Sequence, residues 1–487
     1  MKIASHRIAF GSWLKGGSPL AQLERAVAEA CPANIAPLRA AVVEKTRRGN
    51  VCEVEAIEYG SADHALADKS IFEFRRRTQA RTGQFNAVML IPTGVDCAIG
   101  GHAGDATPAA RLLASVVDNL VLHPNVVNAS DVNEQTDNCL YAEGSLICRL
   151  MMGSVGLRKA RQNRVLLVTE ERPDAPNVVD QTINCAEGAR ATLGMDISEV
   201  VVLDRGLSMK TGFAESGRVT GRIERLEHLI DILRAKAGSY DAVALATRIT
   251  PHIDTVELHR NYFGEGGANP WGGVEAVLTH CLSTLLDVPT AHAPTMSSEA
   301  LRTESWGVVE PRKAAEIIST TYLFCVLKGL NRAPRVVVNP PIAHDPSLLT
   351  VEDLSCLVIP DSCVGLPTLA AVEQGIPVIA VRNNTNLMKN DLKALPFAPG
   401  QLLYAANYYE AAGIIAAMKA GVAASTLVRP MQPIRIIRTA EEPILPTNGH
   451  ANGRSRKDAA QGPSLGGAAA NGAVLNGVHA VLDGDKS

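Results

Sequence analysis

The sequence predicts an α/β fold: a parallel, doubly wound, Rossmann-like sheet, or two such domains around a cleft. Three observations predict it. From Asn86 onward, short continuous apolar runs alternate with longer amphipathic stretches, which is how strands buried on both faces alternate with covering helices. Hydrophobic residues make up 46% of the chain and aromatics only 4%, so the core must be built mainly from Ala, Val, Leu and Ile. Several apolar runs end in loops rich in Gly, Asp, His, Asn and Cys, and open α/β sheets bind ligands at the carboxyl ends of their strands.

The first 84 residues form a leading α/β segment. Leu20–Ala30 has helical period, Arg39–Lys45 suits a strand or a short helix, and Val51–Glu58 alternates as a strand does. The run Ile71–Arg81, IFEFRRRTQAR, is strongly basic. It is either a solvated helix face or a contact to an anionic ligand or partner subunit. Residues 85–440 form the α/β core. Its expected strands are Ala87–Ile91, Asn119–Leu122, Arg164–Val168, Glu199–Leu203, Ala242–Ala246, Arg335–Val338, Cys356–Ile359 and Val378–Val381. Its expected helices are Pro108–Val117, Val179–Leu193, Arg222–Ala237, Gly272–Leu286, Pro311–Gly329, Leu366–Gln374 and Tyr409–Lys419. A Gly-, Ser- and Lys-rich stretch near 204–221 reads as a hinge or lid between two lobes. Residues 441–487 are rich in Gly, Ala, Asn and Ser without periodicity. They read as a disordered tail, because they bury too little apolar surface to offset chain entropy.

The 487 residues carry a formal net charge of -3, which argues against a nucleic-acid or anionic-membrane partner. No apolar run approaches the ~20 residues of a membrane span, and the N-terminus lacks the apolar core of a signal peptide. The ten cysteines form no CxxC pair, and several sit in apolar runs, as buried free thiols do. The expected location is the cytoplasm.

Three loops carry the chemistry. The first spans 93–107 and gathers Thr93, Asp96, Cys97, His102, Asp105 and Thr107 among Gly94, Gly100, Gly101 and Gly104. Asp105 or Thr107 can cap the following helix, and its first N–H groups then face an anion. A tight capped crossover would use the same glycines, but it has no use for Cys97 and His102. The second loop, 123–134, offers His123, Asn125, Asn128 and Asp131 for substrate hydrogen bonds, beside the first at the same sheet edge. The third, 361–365, places Ser362 and Cys363 near a helix start, where a thiolate or a bound anion is stabilised. Asn383 follows the next strand, and Arg248, after Ala242–Ala246, suits a carboxylate or phosphate. Asp96, His102 and Asp105 could ligate a metal, but no HxH or HExxH spacing accompanies them; none is expected. No P-loop, GxGxxG, GxSxG or kinase-type set is present.

The segments IPTGVDCAIGGHAGDATPAARLLA, HPNVVNASD and IPDSCVGLPTLAAVEQGIPVIAV resemble a bacterial, often cyanobacterial, family known as a domain of unknown function, over about residues 85–430. That resemblance implies one coherent module and no particular reaction. Cys97 and Cys363 look like the facing thiols of aspartate/glutamate racemases, which exchange a proton α to a carboxylate. This chain departs from them in length and in the context of its second cysteine. The 358–381 unit is similar to the donor-binding half of nucleotide-sugar glycosyltransferases, without a matching acidic ribose-binding residue.

These readings together give an enzyme acting on a small anionic metabolite without a cofactor, by acid–base or cysteine chemistry of isomerase or lyase type. Cys97 is the expected nucleophile or base, tuned by His102 or His123, with Asp96 and Asp105 orienting groups and Cys363 facing it. Substrate is expected at Thr93, Gly100, Gly101, Gly104, Thr107, Asn125, Asn128, Arg248, Ser362 and Asn383. A homo-oligomer is compatible with this reading. The alternatives are a glycosyltransferase and a non-catalytic ligand-binding or scaffold protein.

Overall fold

The apolar run around Val88 becomes the strand Asn86–Met89, buried along its whole length, at the middle of a six-stranded sheet. Val88 lies in register between Leu357 of Leu354–Pro360 and Val121 of Asn119–Leu122. Outward from these lie Cys139–Tyr141 on one side, and Val378–Val381 then Leu402–Ala405 on the other. All five pairings are parallel. The chain thus builds one half of the sheet, departs, and returns at Leu354 to build the other. Apart from Asn86, Asn119 and Ser355 near their starts, which bond one another or the adjoining backbone, the central strands are apolar, as expected where helices cover both faces.

This computed structural model describes residues 1–32, 34–59, 69–128, 134–295, 304–319 and 322–436. The expected tail, 441–487, and Asp131 lie outside the described residues. A second parallel sheet has the order Thr290–Pro294, Ala242–Thr247, Val165–Glu170, Val200–Leu203. The fold is therefore α/β with two parallel sheets, and it adds two antiparallel ones. Arg335–Val338, expected among the parallel strands, instead pairs antiparallel with Val155–Arg158 in a three-stranded sheet. It is exposed or half-buried along its length, which the apolar sequence RVVV does not reveal.

The leading segment is mostly β. Ile35–Thr46 and Gly49–Glu58 form a hairpin, and Lys2–Phe10 pairs with the latter. Residues 204–221, expected as a hinge, instead enter a hairpin of Ser208–Phe213 and Val219–Glu224, whose second strand pairs with Lys2–Phe10. Its glycines serve packing: a Cβ on Gly221 would fall 2.6 Å from the Lys210 carbonyl oxygen. At the far edge, Val364–Gly365 pairs with Ile35–Thr46. The chain steps from the parallel sheet into the antiparallel one through Asp361, Ser362 and Cys363.

The basic run 71–81 is neither helix nor strand. Its backbone donates outward, Arg75 to the Met152 carbonyl and Thr78 and Gln79 to the Glu352 carboxylate. Arg81 pairs with Asp353 at 3.0 Å. The arginines are consumed by protein groups rather than spread over a solvated helix face. Residues Met1–Met431 form one compact unit; beyond it only residues 432–436 are described, without helix or strand.

Candidate active site

The expected first and second loops meet where the strands Asn86–Met89 and Asn119–Leu122 end. Gly100 and Gly101 both have positive φ (94° and 98°), which glycine adopts without strain. Gly100 donates to Asp105 at 2.6 Å, and Gly101 donates to the Asn125 carbonyl at 3.0 Å. Asn125 in turn donates to the carbonyls of Ile91 and Pro92. The two loops are thereby one hydrogen-bonded unit. They floor a cavity of about 180 Å³. The helix Gly272–Leu286 and the strand Thr290–Pro294 supply the facing wall through Glu275, Thr279, His280 and His292.

A cluster of interacting acid–base groups borders this cavity: Glu316 and His102 line it, with Tyr262 set outside the lining. Glu316, on the helix Pro311–Ile318, is buried and accepts from the Ala103 N–H at 3.0 Å and from Asn269 Nδ2 at 3.3 Å. Tyr262 is near enough to influence its carboxylate. The Tyr262 hydroxyl lies 2.6 Å from His102 Nδ1. Burial pushes the Glu316 carboxyl up to about 7, with Asp105 adding to the rise against the bonds that oppose it. Burial and the cations of Arg312 and Lys313 push His102 down to about 4. At neutral pH the imidazole is uncharged and Glu316 is poised between its two forms. Asp105, pushed up to about 6 by burial, is held by the N–H groups of Gly100 and His102.

Five histidines line this cavity: His102, His123, His259, His280 and His292. His280 pairs with Glu143 at 2.6 Å, which with further hydrogen bonds keeps that buried carboxylate ionised against desolvation. His292 spans Glu275 at 3.1 Å and Thr247 at 2.9 Å. His123 accepts from the Ile91 N–H through Nε2 at 3.2 Å, and burial pushes it down to about 3. No group of three or more His, Cys, Asp or Glu among the described residues is placed to hold a metal ion.

A second cavity, of about 100 Å³, adjoins the first; both are lined by Thr93, His123, Gly144 and His280. Its wall is mainly apolar, with the guanidinium groups of Arg39, Arg149 and Arg218 and the thiol of Cys363. The third loop therefore borders this cavity, and only the first two floor the larger one.

Several expected residues sit elsewhere or do other work. Cys97 is 3% and Cys363 1% exposed, so the reactive, accessible thiol expected at Cys97 is replaced by a sealed one. The Cys363 thiol is pushed well above its usual range, by the adjoining Cys97 thiol and then by burial. Arg248 stands at the end of Ala242–Thr247 in the other parallel sheet, paired with Asp174. Asn383 is exposed, and its neighbour Asn384 turns inward to bond Ile99 and the Tyr408 hydroxyl. Ser362 bonds Asn386 at 3.2 Å and precedes the helix Leu366–Gln374, whose cap is Gly365. Neither Asp105 nor Thr107 caps the helix Thr107–Ala114; Ala106 is its cap, without a side-chain bond. Gly104 has positive φ and accepts the Thr107 N–H, closing the loop. Thr93 and Asn128 line the main cavity, and Asp96 lies with Cys97, Gly100 and Gly101 around a small neighbouring one.

Glu316, Tyr262, Glu143, His280, Glu275 and His292 are site residues that no motif announces. Their one sequence signal is polarity inside otherwise apolar elements, as in VLTHCLSTLL and TAHAP.

The chain belongs to the DUF3326 family of proteins of unknown function, whose model matches residues 86–428. It is similar to an uncharacterized lipoprotein of a Synechococcus strain, with 35% identity over 344 residues, covering 69% of this chain and 91% of the relative. No solved structure matches it. The matched stretch includes both cavity-forming loops and Glu316; Arg39 lies before it. Among the described residues, no helix is long and apolar enough to cross a membrane.

Proposed function

We propose that this protein is an acid–base enzyme of isomerase or lyase type acting on a small organic anion. The observation that carries this reading is the buried Glu316 carboxyl on the wall of the main cavity, beside His102 and its partner Tyr262. A catalytic acid–base group works best with a pKa near the working pH, and burial brings Glu316 there. In its ionised form Glu316 takes a proton from a carbon α to the substrate carboxylate, leaving Glu316 protonated and the substrate as an enediolate. Return of a proton to carbon completes an isomerisation; expulsion of a β leaving group completes an elimination. Tyr262 and His102 orient Glu316 and pass its proton onward. The acid–base role expected of Cys97 thus moves to Glu316, because Cys97 and its neighbour Cys363 are both buried away from the main cavity.

The strand order of the six-stranded sheet fits a doubly wound, Rossmann-like half, with its direction reversing between Asn86–Met89 and Leu354–Pro360. Such a reversal opens a crevice at the carboxyl edge, where the second cavity and the Cys97–Cys363 pair lie. The ten cysteines are all free, which supports a reducing, cytoplasmic setting.

The test is proton NMR in D2O with a panel of small 2-hydroxy, 2-amino and unsaturated carboxylates. The expected result is exchange of one carbon-bound proton or elimination, abolished by Glu316→Gln. Equal turnover by Glu316→Gln would refute the role of Glu316. Stabilisation by UDP-sugars, with no exchange of any carboxylate, would favour the glycosyltransferase alternative.

A further inference from the structure

We infer that the second cavity is a carboxylate-binding subsite, built around Arg39, for a singly charged acid with an apolar body. The inference rests on the acid–base reading for the role of the bound molecule, since it names the class of substrate held beside Glu316.

Three guanidinium groups reach this cavity, and each has an Nη1 atom that is buried and without a hydrogen-bond partner. Two of the three charges are already answered. Arg218, fully buried, is paired with Glu53 at 3.1 Å and with Glu55. Arg149 is paired with Asp287 at 2.6 Å, a carboxylate it shares with Lys69. Arg39 differs. Among the described residues it has no ion pair within bridging distance, and its one hydrogen bond is from Nη2 to the Thr93 carbonyl at 2.8 Å. Glu55 and Glu143 act on it only from farther off. The residue is half-buried, but its Nη1 atom is fully buried and unpartnered, an arrangement that is costly unless an acceptor completes it.

The backbone aims Arg39 deliberately. It lies on Ile35–Thr46 just after a register shift between Pro37 and Arg39, and such bulges redirect a side chain, commonly beside active sites. The planar fork of Arg suits a carboxylate held by two parallel bonds. Much of the rest of the wall is aliphatic, with Leu38, Leu90, Val95, Ile359, Val364 and Leu366. A single guanidinium with no carboxylate at bridging distance, against such a wall, suits a monoanion with a hydrocarbon body over a phosphate dianion. The volume, about 100 Å³, is of the order of the ~150 Å³ that holds a benzene ring, which limits the body to a few carbon atoms. The shared lining of Thr93, His123, Gly144 and His280 lets the acid's reacting end extend toward the cavity of Glu316.

The experiment is isothermal titration of the full chain with butyrate, benzoate, butan-1-ol and inorganic phosphate. Butyrate or benzoate should bind, the alcohol at least tenfold more weakly, and phosphate more weakly than either acid. Arg39→Met should weaken carboxylate binding at least tenfold, with Arg39→Lys in between. Binding of the alcohol as tight as butyrate, preference for phosphate, undiminished binding by Arg39→Met, or no carboxylate binding would each overturn the inference. If Arg39→Met fails to fold, the butyrate-to-butanol ratio on the unaltered protein decides. Glu316→Gln should still bind butyrate. Carboxylate binding without any proton exchange would refute the acid–base reading alone, and exchange on acids that do not need Arg39 would refute this inference alone.

Discussion

The Cys97 and Cys363 thiols are close neighbours, near enough for Cys97 to raise the pKa of Cys363, although one follows the strand Asn86–Met89 and the other follows Leu354–Pro360. Those two strands pair directly in the sheet, so the loops leaving their carboxyl ends must meet. Both cysteines are buried and belong to the main core, together with Met388 and Tyr408. They are part of the packing where two sheets join.

Thiol reactivity should follow that burial. Brief alkylation at neutral pH, read by mass spectrometry, should label the partly exposed Cys31, Cys139 and Cys185 before Cys97 or Cys363. Labelling of Cys97 first would mean that the 93–107 loop opens readily in solution.

The buried Arg218 is a stability hotspot. Arg218→Ala would leave the buried Glu55 without an ion-pair partner and the buried Glu53 with Arg7 alone, at 3.9 Å. Breaking one side of a buried ion pair costs about 3–5 kcal/mol, so urea unfolding should show a loss of that order. A change under about 1 kcal/mol would mean that water reaches the two carboxylates.

Two groups on the main cavity give opposite pH dependences. His123, pushed down to about 3 from an ordinary 6.5 by burial, contributes stability that is present above pH 6.5 and lost as pH falls toward 3. By pH 5 the loss should be about 2 kcal/mol. Glu316, raised to about 7 by burial, contributes stability that is full below its ordinary 4.5 and lost as pH rises through 7. Thermal melts of His123→Asn should show a flatter acid limb than the unaltered protein, and those of Glu316→Gln a flatter limb toward alkaline pH. Unchanged limbs would show that neither group is as desolvated as its surroundings imply.

Gly273→Ala should destabilise by about 1–3 kcal/mol, the usual cost of overpacking. A Cβ there would stand 2.6 Å from the Val219 backbone, forcing the helix Gly272–Leu286 off the hairpin. Since that helix carries Glu275 and His280, ligand binding should weaken along with the melting temperature. A neutral substitution would mean that helix and hairpin part easily.

The parallel strands were legible because burial on both faces leaves an uninterrupted apolar word, such as VLLV or VIAV. Gly272–Leu286 and Leu366–Gln374 were legible from Gly and Pro punctuation at their starts. The strand Gly49–Glu58 is readable as a strand, but not the burial of Glu53 and Glu55, because their partner Arg218 lies far along the chain in a stretch with the composition of a hinge. The same distance hides the site. Loops 93–107 and 123–128 announce themselves by glycines and reactive residues. Glu316 and Tyr262 become acid–base groups only through the neighbours folding gives them. Asn384 in place of Asn383 is a matter of backbone direction at one turn, which composition does not encode.

The pairing of Asn86–Met89 with Leu354–Pro360 also sets an order of events at the ribosome. One edge of the central strand stays unpaired until Leu354–Pro360 has emerged, an interval on the order of tens of seconds at ~5–20 residues per second. An apolar strand with a free edge is a template for pairing with other chains. The growing polypeptide therefore needs shelter, from a chaperone or from its own antiparallel hairpins, for most of its synthesis. The second cavity closes only when Ile359 to Met388 have arrived.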